Sequence, residues 1–272
     1  MSGPIFPFVT KASSKVLSKA LKPPLRASNS PTSIFMAALN QPDTFWHVPE
    51  FHGRRLFFDR PTDPEWKRQK PITPYKCLPV VYETTSSGAL LEISEVLPIE
   101  RYLADKFGLA GSDLWERLQV EQAVSSIESS QLMYHYKVLL PNWSSAGTVD
   151  LNEERVKRQR RAENASRFYE TGLKNFVDIH EEKLQENGGG GGGNGHYLGD
   201  KTSLADIRAT VLIDRLMLLR PEGADPVPLS KDKTPNLWRV REAVHQIPAI
   251  AQWRESKRYQ DLDALTKKYF CV

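Results

Sequence analysis

Thr73-Pro74-Tyr75-Lys76-Cys77-Leu78-Pro79-Val80-Val81-Tyr82-Glu83-Thr84-Thr85-Ser86-Ser87-Gly88-Ala89-Leu90-Leu91-Glu92-Ile93 is the stretch on which the fold turns. The apolar runs Leu78 to Tyr82 and Ala89 to Ile93 flank the turn-forming residues Thr84 to Gly88, the pattern of two short antiparallel strands joined by a hairpin. Directly after it, Ile99, Tyr102, Leu103, Lys106 and Phe107 recur at helical spacing, and Gly108 stands where a helix stops.

From there the pattern stays helical. Ser112 or Asp113 can cap a long helix running towards Leu140, with Leu114, Leu118, Val124, Ile127 and Leu132 read as one broad apolar stripe before Pro141. Leu151 to Asn187 reads as a second long helix that buries Phe168, Leu173, Phe176 and Leu184. Its basic run Arg155 to Arg161 has the makeup of a nuclear signal or an RNA-binding patch, but no aromatic residue interleaves it, so the reading is a solvated helix face. The glycines Gly188 to Gly193 lack the Lys-Ser or Lys-Thr of a phosphate loop and read as a flexible loop. In Thr202-Ser203-Leu204-Ala205-Asp206, Ser203 and Asp206 have the spacing of a capping box, ahead of a largely covered helix from Ile207 to Leu219. Leu237 to His245 and Pro248 to Arg258 add two shorter helices. The expected architecture is a small α+β domain at 35–110 and an all-α domain at 111–262, with a basic extension at 1–34 and a tail at 263–272.

Composition bounds the function. The chain has 272 residues, 40% hydrophobic and 26% charged, and a mean hydropathy of −0.47, and no apolar run approaches the roughly 20 residues that cross a bilayer. Cys77 and Cys271 are too few for a disulfide framework or a zinc site. The net charge of +4 comes from 37 basic and 33 acidic residues, too even a balance for a general polyanion binder. The local excess at Met1 to Pro42 (Lys11, Lys15, Lys19, Lys22, Arg26, many serines, no acid) has the composition of a mitochondrial presequence and equally that of a disordered basic extension.

Three motifs in order, Thr73 to Val80, Ile99-Glu100-Arg101-Tyr102-Leu103-Ala104 and Gly199-Asp200-Lys201-Thr202-Ser203-Leu204-Ala205-Asp206, resemble cytosolic glutathione S-transferases, with fungal and sigma-like members nearest. The resemblance covers roughly Phe35 to Tyr259. It implies a thioredoxin-like glutathione-binding domain, here shortened, followed by the family's helical domain. It also implies conjugation of glutathione to small electrophiles in the cytoplasm by a homodimer, without nucleic acid, membrane or metal. In the family the proline matching Pro79 is cis, and the backbone N–H and C=O of the next residue, here Val80, pair with the cysteinyl unit of glutathione. Trp66 and Lys70 match the pair near the glycine carboxylate, although core packing serves as well for Trp66. Glu95 matches the residue facing the γ-glutamyl group. Val96 departs from the pattern: it stands where the family has a serine, and only the helix amides remain to hold the γ-glutamyl carboxylate.

Upstream the departure is larger. With Phe45 to Val48 as the first strand, the position of the catalytic tyrosine holds Val48, and His47 and His52 read as surface histidines. Only Arg55 to Glu65 separate Arg54 from Trp66, too short for the family's first helix and second strand, since a parallel crossover takes about 10 to 12 residues before the strand is counted. A sheet lacking its covering helix leads to the expectation of oligomerisation or poor solubility. These departures hold a second reading open, a catalytically inactive family member that docks other proteins. A redox role for Cys77 has little support because no second cysteine stands near it. The electrophile would enter between the halves, beside the first long helix, with Tyr134 and Tyr136 expected to line its pocket.

Overall fold

The computed structural model describes residues 71, 73–76, 80–84, 89–139, 151–187, 194–220 and 229–270. Its first half opens with a tight turn at Pro74–Lys76, in which Tyr75 (φ 50°) and Lys76 (φ 56°) are left-handed. The Lys76 amide reaches the Thr73 carbonyl at 3.1 Å and its ammonium the Pro71 carbonyl at 2.7 Å, which holds two non-glycine residues in a conformation they otherwise avoid. Strands β1 (Val80–Thr84) and β2 (Leu90–Ser94) pair antiparallel, with Val80 opposite Ser94 and Thr84 opposite Leu90. Both strands lie one or two residues further along the chain than the apolar runs suggest.

Helix α1 (Val96–Lys106) follows and buries Ile99, Glu100, Leu103 and Ala104. It ends in a full Schellman motif: Gly108 takes φ 71°, its amide reaches the Asp105 carbonyl, and the Leu109 amide reaches Ala104 at 2.8 Å. Helix α2 (Leu114–Tyr134) starts at Asp113, whose carboxylate accepts from the Glu116 amide at 2.9 Å, while Glu116 accepts in return from the Ser112 amide and hydroxyl. Between these caps Gly111 takes φ 98°, with the backbone of Glu116 and Arg117 only 2.8 Å from where a Cβ would stand.

The buried face of α2 is not the expected stripe. Val120, Val124, Ile127 and Tyr134 are buried, whereas Leu114 is 74% exposed and Leu118 and Leu132 are each 46% exposed. At 3.6 residues per turn, Leu114 and Leu132 are five turns apart and share the face opposite Val120, Val124 and Ile127, so the apolar residues divide between two faces of the helix. The helix then loosens into a π-helical segment, His135–Leu139.

Helix α3 runs over Leu151–Asn187 as its apolar spacing predicts, and buries Phe168, Leu173, Phe176 and Leu184. Helix α4 (Leu204–Leu218) begins at the expected capping box: the Ser203 amide and hydroxyl both donate to one Asp206 carboxylate oxygen at 2.6 Å, and the Tyr197 amide donates to the other at 2.8 Å. Every residue of α4 from Leu204 to Ile213 is buried, so it forms the centre of the helical half. Helices α5 (Pro235–His245), α6 (Pro248–Glu255) and α7 (Lys257–Phe270) complete it, and α7 continues past residue 262, where the sequence suggested a tail. No described helix is long and apolar enough to cross a membrane.

Two apolar cores result. One joins α2, α3, α4 and α5 around Ile127, Phe168, Leu173, Phe176, Leu212 and Leu237. The other sits on the seam between the halves, where Val81 of β1 and Ile99 and Leu103 of α1 meet Val120, Val124, Leu204, Ile207 and Val211. Burying such side chains stabilises the seam by about 1.5 to 3 kcal/mol each.

Candidate functional site

The hairpin and the helix after it fix the local geometry of the candidate site. Val80, fully buried, opens β1 and lies opposite Ser94. The next residue, Glu95, is exposed and turns the chain into α1 with φ 73°, ψ 144°. Two of the predicted ligand-binding residues, Val80 and Glu95, are thus brought to the same end of the hairpin by its register. Glu95 is the N-cap of α1 without a side-chain cap bond. No side-chain bond from Glu95 caps the first turn, which begins with Val96 and Leu97, and Pro98 contributes no N–H. The first backbone bond of the helix, from the Ile99 amide to the Glu95 carbonyl, is 3.2 Å. A helix N-terminus favours an anionic group through its first amides and the positive end of the helix dipole.

The other predicted site residues, Trp66, Lys70 and Pro79, lie outside the described residues, as do Val48, His47, His52, Cys77, the shortened interval Arg55 to Glu65 and the N-terminal extension. Tyr134 and Tyr136 are separated by the structure. Tyr134 is a core residue, buried against Phe168 with ring centroids 5.1 Å apart, and its hydroxyl is hydrogen-bonded to Tyr169, which donates to the Leu216 carbonyl at 3.0 Å. Burial pushes the Tyr134 phenol well up and that of Tyr169 to about 12, so both are neutral structural groups. Tyr136 is exposed. Tyr134 therefore does not line a pocket, because the turn of α2 that carries it faces α3.

Three polar clusters escape a reading of the sequence. The first ties the two halves together: Arg208 of α4 donates from Nε to Glu100 of α1 at 2.7 Å and from a terminal nitrogen at 2.6 Å, both side chains being almost fully buried. The Leu204 amide adds a bond to the Leu109 carbonyl at 2.9 Å across the same seam. Arg208 was visible as a cation inside an apolar helix, a signal for a buried counter-charge, but its partner is 108 residues away.

In the second cluster His180 of α3 is buried. Its Nδ1 lies 2.7 Å from the Tyr197 hydroxyl and its Nε2 3.1 Å from the Ser126 hydroxyl of α2. A neutral imidazole uses one nitrogen as donor and the other as acceptor, which this pair of hydroxyls satisfies. Burial holds the His180 pKa down at about 4. In the third, Asp214 of α4 gathers Arg241 at 2.7 Å and His245 at 2.8 Å from α5 and Arg254 at 2.7 Å from α6. Burial acts to raise its pKa, but the hydrogen bond and charge of His245 and the two guanidinium groups outweigh it and hold the carboxyl below its usual range. Neither cluster touches the hairpin end; both hold helices together. No group of His, Cys, Asp and Glu suited to a metal occurs among the described residues.

The fold agrees with comparisons to known proteins. Residues 150–257 match the family model described as the glutathione S-transferase, C-terminal domain. Glutathione S-transferase 2 of Manduca sexta is 26% identical over 184 residues, which is 67% of this chain and 75% of that protein. Among solved structures, the Pi-class glutathione S-transferase of Onchocerca volvulus superposes with a TM-score of 0.58 at 17% identity, covering 87% of this chain and 88% of that one. The sigma class enzyme of Fasciola hepatica superposes with a TM-score of 0.57 at 18% identity, covering 84% and 90%. At such identities the structural likeness establishes the fold.

Proposed function

From a chain that is related to the glutathione S-transferases through its C-terminal domain and its fold, we propose a protein that binds glutathione at the hairpin end and conjugates it to small electrophiles. The observation that supports this most directly is the turn at Glu95. The register sets Val80 opposite Ser94, and the left-handed Glu95 next to it leads into a helix whose first amides no side chain caps. The backbone of Val80 would pair with the cysteinyl unit. The amides of Val96 and Leu97 would take the γ-glutamyl carboxylate, and the Glu95 carboxylate its ammonium. Pro79, Trp66 and Lys70 would complete the site, with Pro79 shaping the approach of Val80 and the other two meeting the glycine carboxylate.

The same residues favour a second reading. Val48 offers no hydroxyl to stabilise a thiolate, and Val96 offers none to the γ-glutamyl carboxylate, so a binding or protein-docking member without transferase activity also fits the chain. We place the protein in the cytoplasm as a homodimer. Support for the dimer comes from the outer face of α2, where Leu114, Leu118 and Trp115, the last 65% exposed, form an apolar surface a second copy would cover.

Calorimetric titration of glutathione into the full chain tests the binding site. Binding weakened by both Lys70→Ala and Glu95→Ala supports it and justifies an activity screen with electrophiles. No heat from a folded sample moves the reading to the docking module.

A further inference from the structure

Glu100 and Arg208 set opposite charges across a seam that apolar packing already closes, where Ile99 and Leu103 of α1 meet Val120, Leu204 and Val211. Their side chains are 1% and 3% exposed, so both bear the full cost of leaving water. The attraction within a buried pair roughly offsets that cost, and well-packed apolar residues of the same volume hold a seam as firmly. Cohesion therefore does not account for the pair. What it adds is direction. Apolar contact is non-directional and tolerates a helix that slides or turns by a fraction of a residue. Here Nε and a terminal nitrogen of Arg208 converge on one Glu100 carboxylate oxygen, at 2.7 and 2.6 Å, and a shift of about 1 Å away from it takes both beyond hydrogen-bond range.

The pair fixes α1 to a firm platform. Arg208 stands two residues after the capping box of α4, in the stretch from Leu204 to Ile213 that is buried throughout. On α1, Glu100 lies five residues past Glu95, about 8 Å along the axis. The Ile99 amide, one residue before Glu100, bonds the Glu95 carbonyl at 3.2 Å, so the pair holds the first turn of the helix almost directly. Past the other end of α1, the Leu109 carbonyl accepts from the Leu204 amide of α4 at 2.9 Å. The ion pairs of α1 with α2, Arg101 to Glu121 and Asp105 to Arg117, are exposed and screened by water, and they constrain the helix weakly.

We infer that Glu100 and Arg208 are positioning residues for the γ-glutamyl end of glutathione, an assignment that rests on the glutathione-binding reading above. In that reading the γ-glutamyl carboxylate and ammonium meet the Val96 and Leu97 amides and Glu95, all at the start of α1. The cysteinyl unit falls to Val80 of β1 and the glycine end to Trp66 and Lys70, none of them on α1. A binding group must be held to within about 0.5 Å, and a displaced α1 costs the γ-glutamyl contacts alone. The pair thus acts on one part of the ligand from the far side of the seam, and its loss changes selectivity between ligands with and without that part.

The test uses the full chain and the double variant Glu100→Leu with Arg208→Met, which removes both charges and keeps the seam filled. Calorimetry compares S-hexylglutathione with S-hexyl-cysteinylglycine, which differ only in the γ-glutamyl group. Preference for the first is expected to fall about tenfold in the double variant, with affinity for the second unchanged. The control, Val124→Ala, opens a cavity in the same seam with the pair intact and is expected to leave the preference within about twofold. Hydrogen exchange reads the turn without a ligand: the Val96, Leu97 and Ile99 amides are expected to exchange about tenfold faster in the double variant, with Ile207 to Ile213 of α4 unchanged. An unchanged preference, an equal loss for both ligands, or the same change in Val124→Ala overturns the assignment. A wild-type chain that binds neither ligand refutes the glutathione reading instead, and unchanged exchange at the turn then overturns the positioning role on its own.

Discussion

Acidification reaches the interior of the helical half through His180. With its pKa held at about 4 by burial, the folded imidazole stays neutral over a range in which the unfolded one, near its ordinary 6.5, takes up a proton. Between these values the unfolded state binds more protons, so stability falls as pH drops through this window; above about 6.5 and below about 4 the group adds no further dependence. The difference between 6.5 and about 4 corresponds to roughly 3 kcal/mol, of which roughly 2 kcal/mol is lost on going from pH 7.5 to pH 5. Urea denaturation at these two pH values measures it. Carboxylates and other histidines contribute to both the wild type and His180→Asn, so the difference between their pH slopes isolates His180. The variant is expected to be less stable at pH 7.5, because the Tyr197 and Ser126 hydroxyls lose a partner, and to lose roughly 2 kcal/mol less on acidification. Equal pH slopes in the two proteins, or a His180 imidazole that titrates near 6.5 by NMR, would refute the reasoning.

Glu100→Ala leaves Arg208 charged and buried without its carboxylate, and is expected to cost about 3 to 5 kcal/mol in urea denaturation; Glu100→Leu with Arg208→Met should recover most of that. Ser203→Ala removes one hydroxyl from the cap of α4 and should cost about 1 kcal/mol. Asp206→Ala should cost more, about 2 to 4 kcal/mol, since it leaves the Tyr197 amide and the Ser203 amide and hydroxyl without their acceptor; equal losses for the two variants would argue against that network. Gly111→Ala places a Cβ 2.8 Å from backbone atoms of α2 at φ 98° and should lower stability by about 1 to 3 kcal/mol, read as a drop in Tm.

The parts of the fold that were legible are those set by neighbours in sequence. The hairpin follows from two apolar runs around Thr84 to Gly88, the end of α1 from Gly108, and the start of α4 from Ser203 and Asp206, three residues apart. Each depends on residues within one turn, where composition and spacing carry the signal. Phase over a long helix was less legible. Leu114, Leu118 and Leu132 look like core by composition, but α2 turns them outward, and the smaller Val120 and Val124 face the seam. Partners distant in sequence were not legible at all: Arg208 and Glu100, or Asp214 with Arg241, His245 and Arg254, are joined only by packing.

The candidate site divides along the same line. Glu95 was reached through the family resemblance, whereas its positive φ of 73° is a property of the turn. That turn does not stand alone. Helix α1 is held by Glu100 to Arg208, and the chain just after it by the Leu109 carbonyl to the Leu204 amide, so both ties end on α4, the most buried helix of the other half. The capping box that starts α4 also anchors the Tyr197 amide, and the Tyr197 hydroxyl meets His180. One connected set of buried polar contacts therefore runs from His180 through Tyr197, Asp206 and α4 to the helix that carries the site, and the rigidity of the Glu95 turn is a property of the helical half as much as of the hairpin.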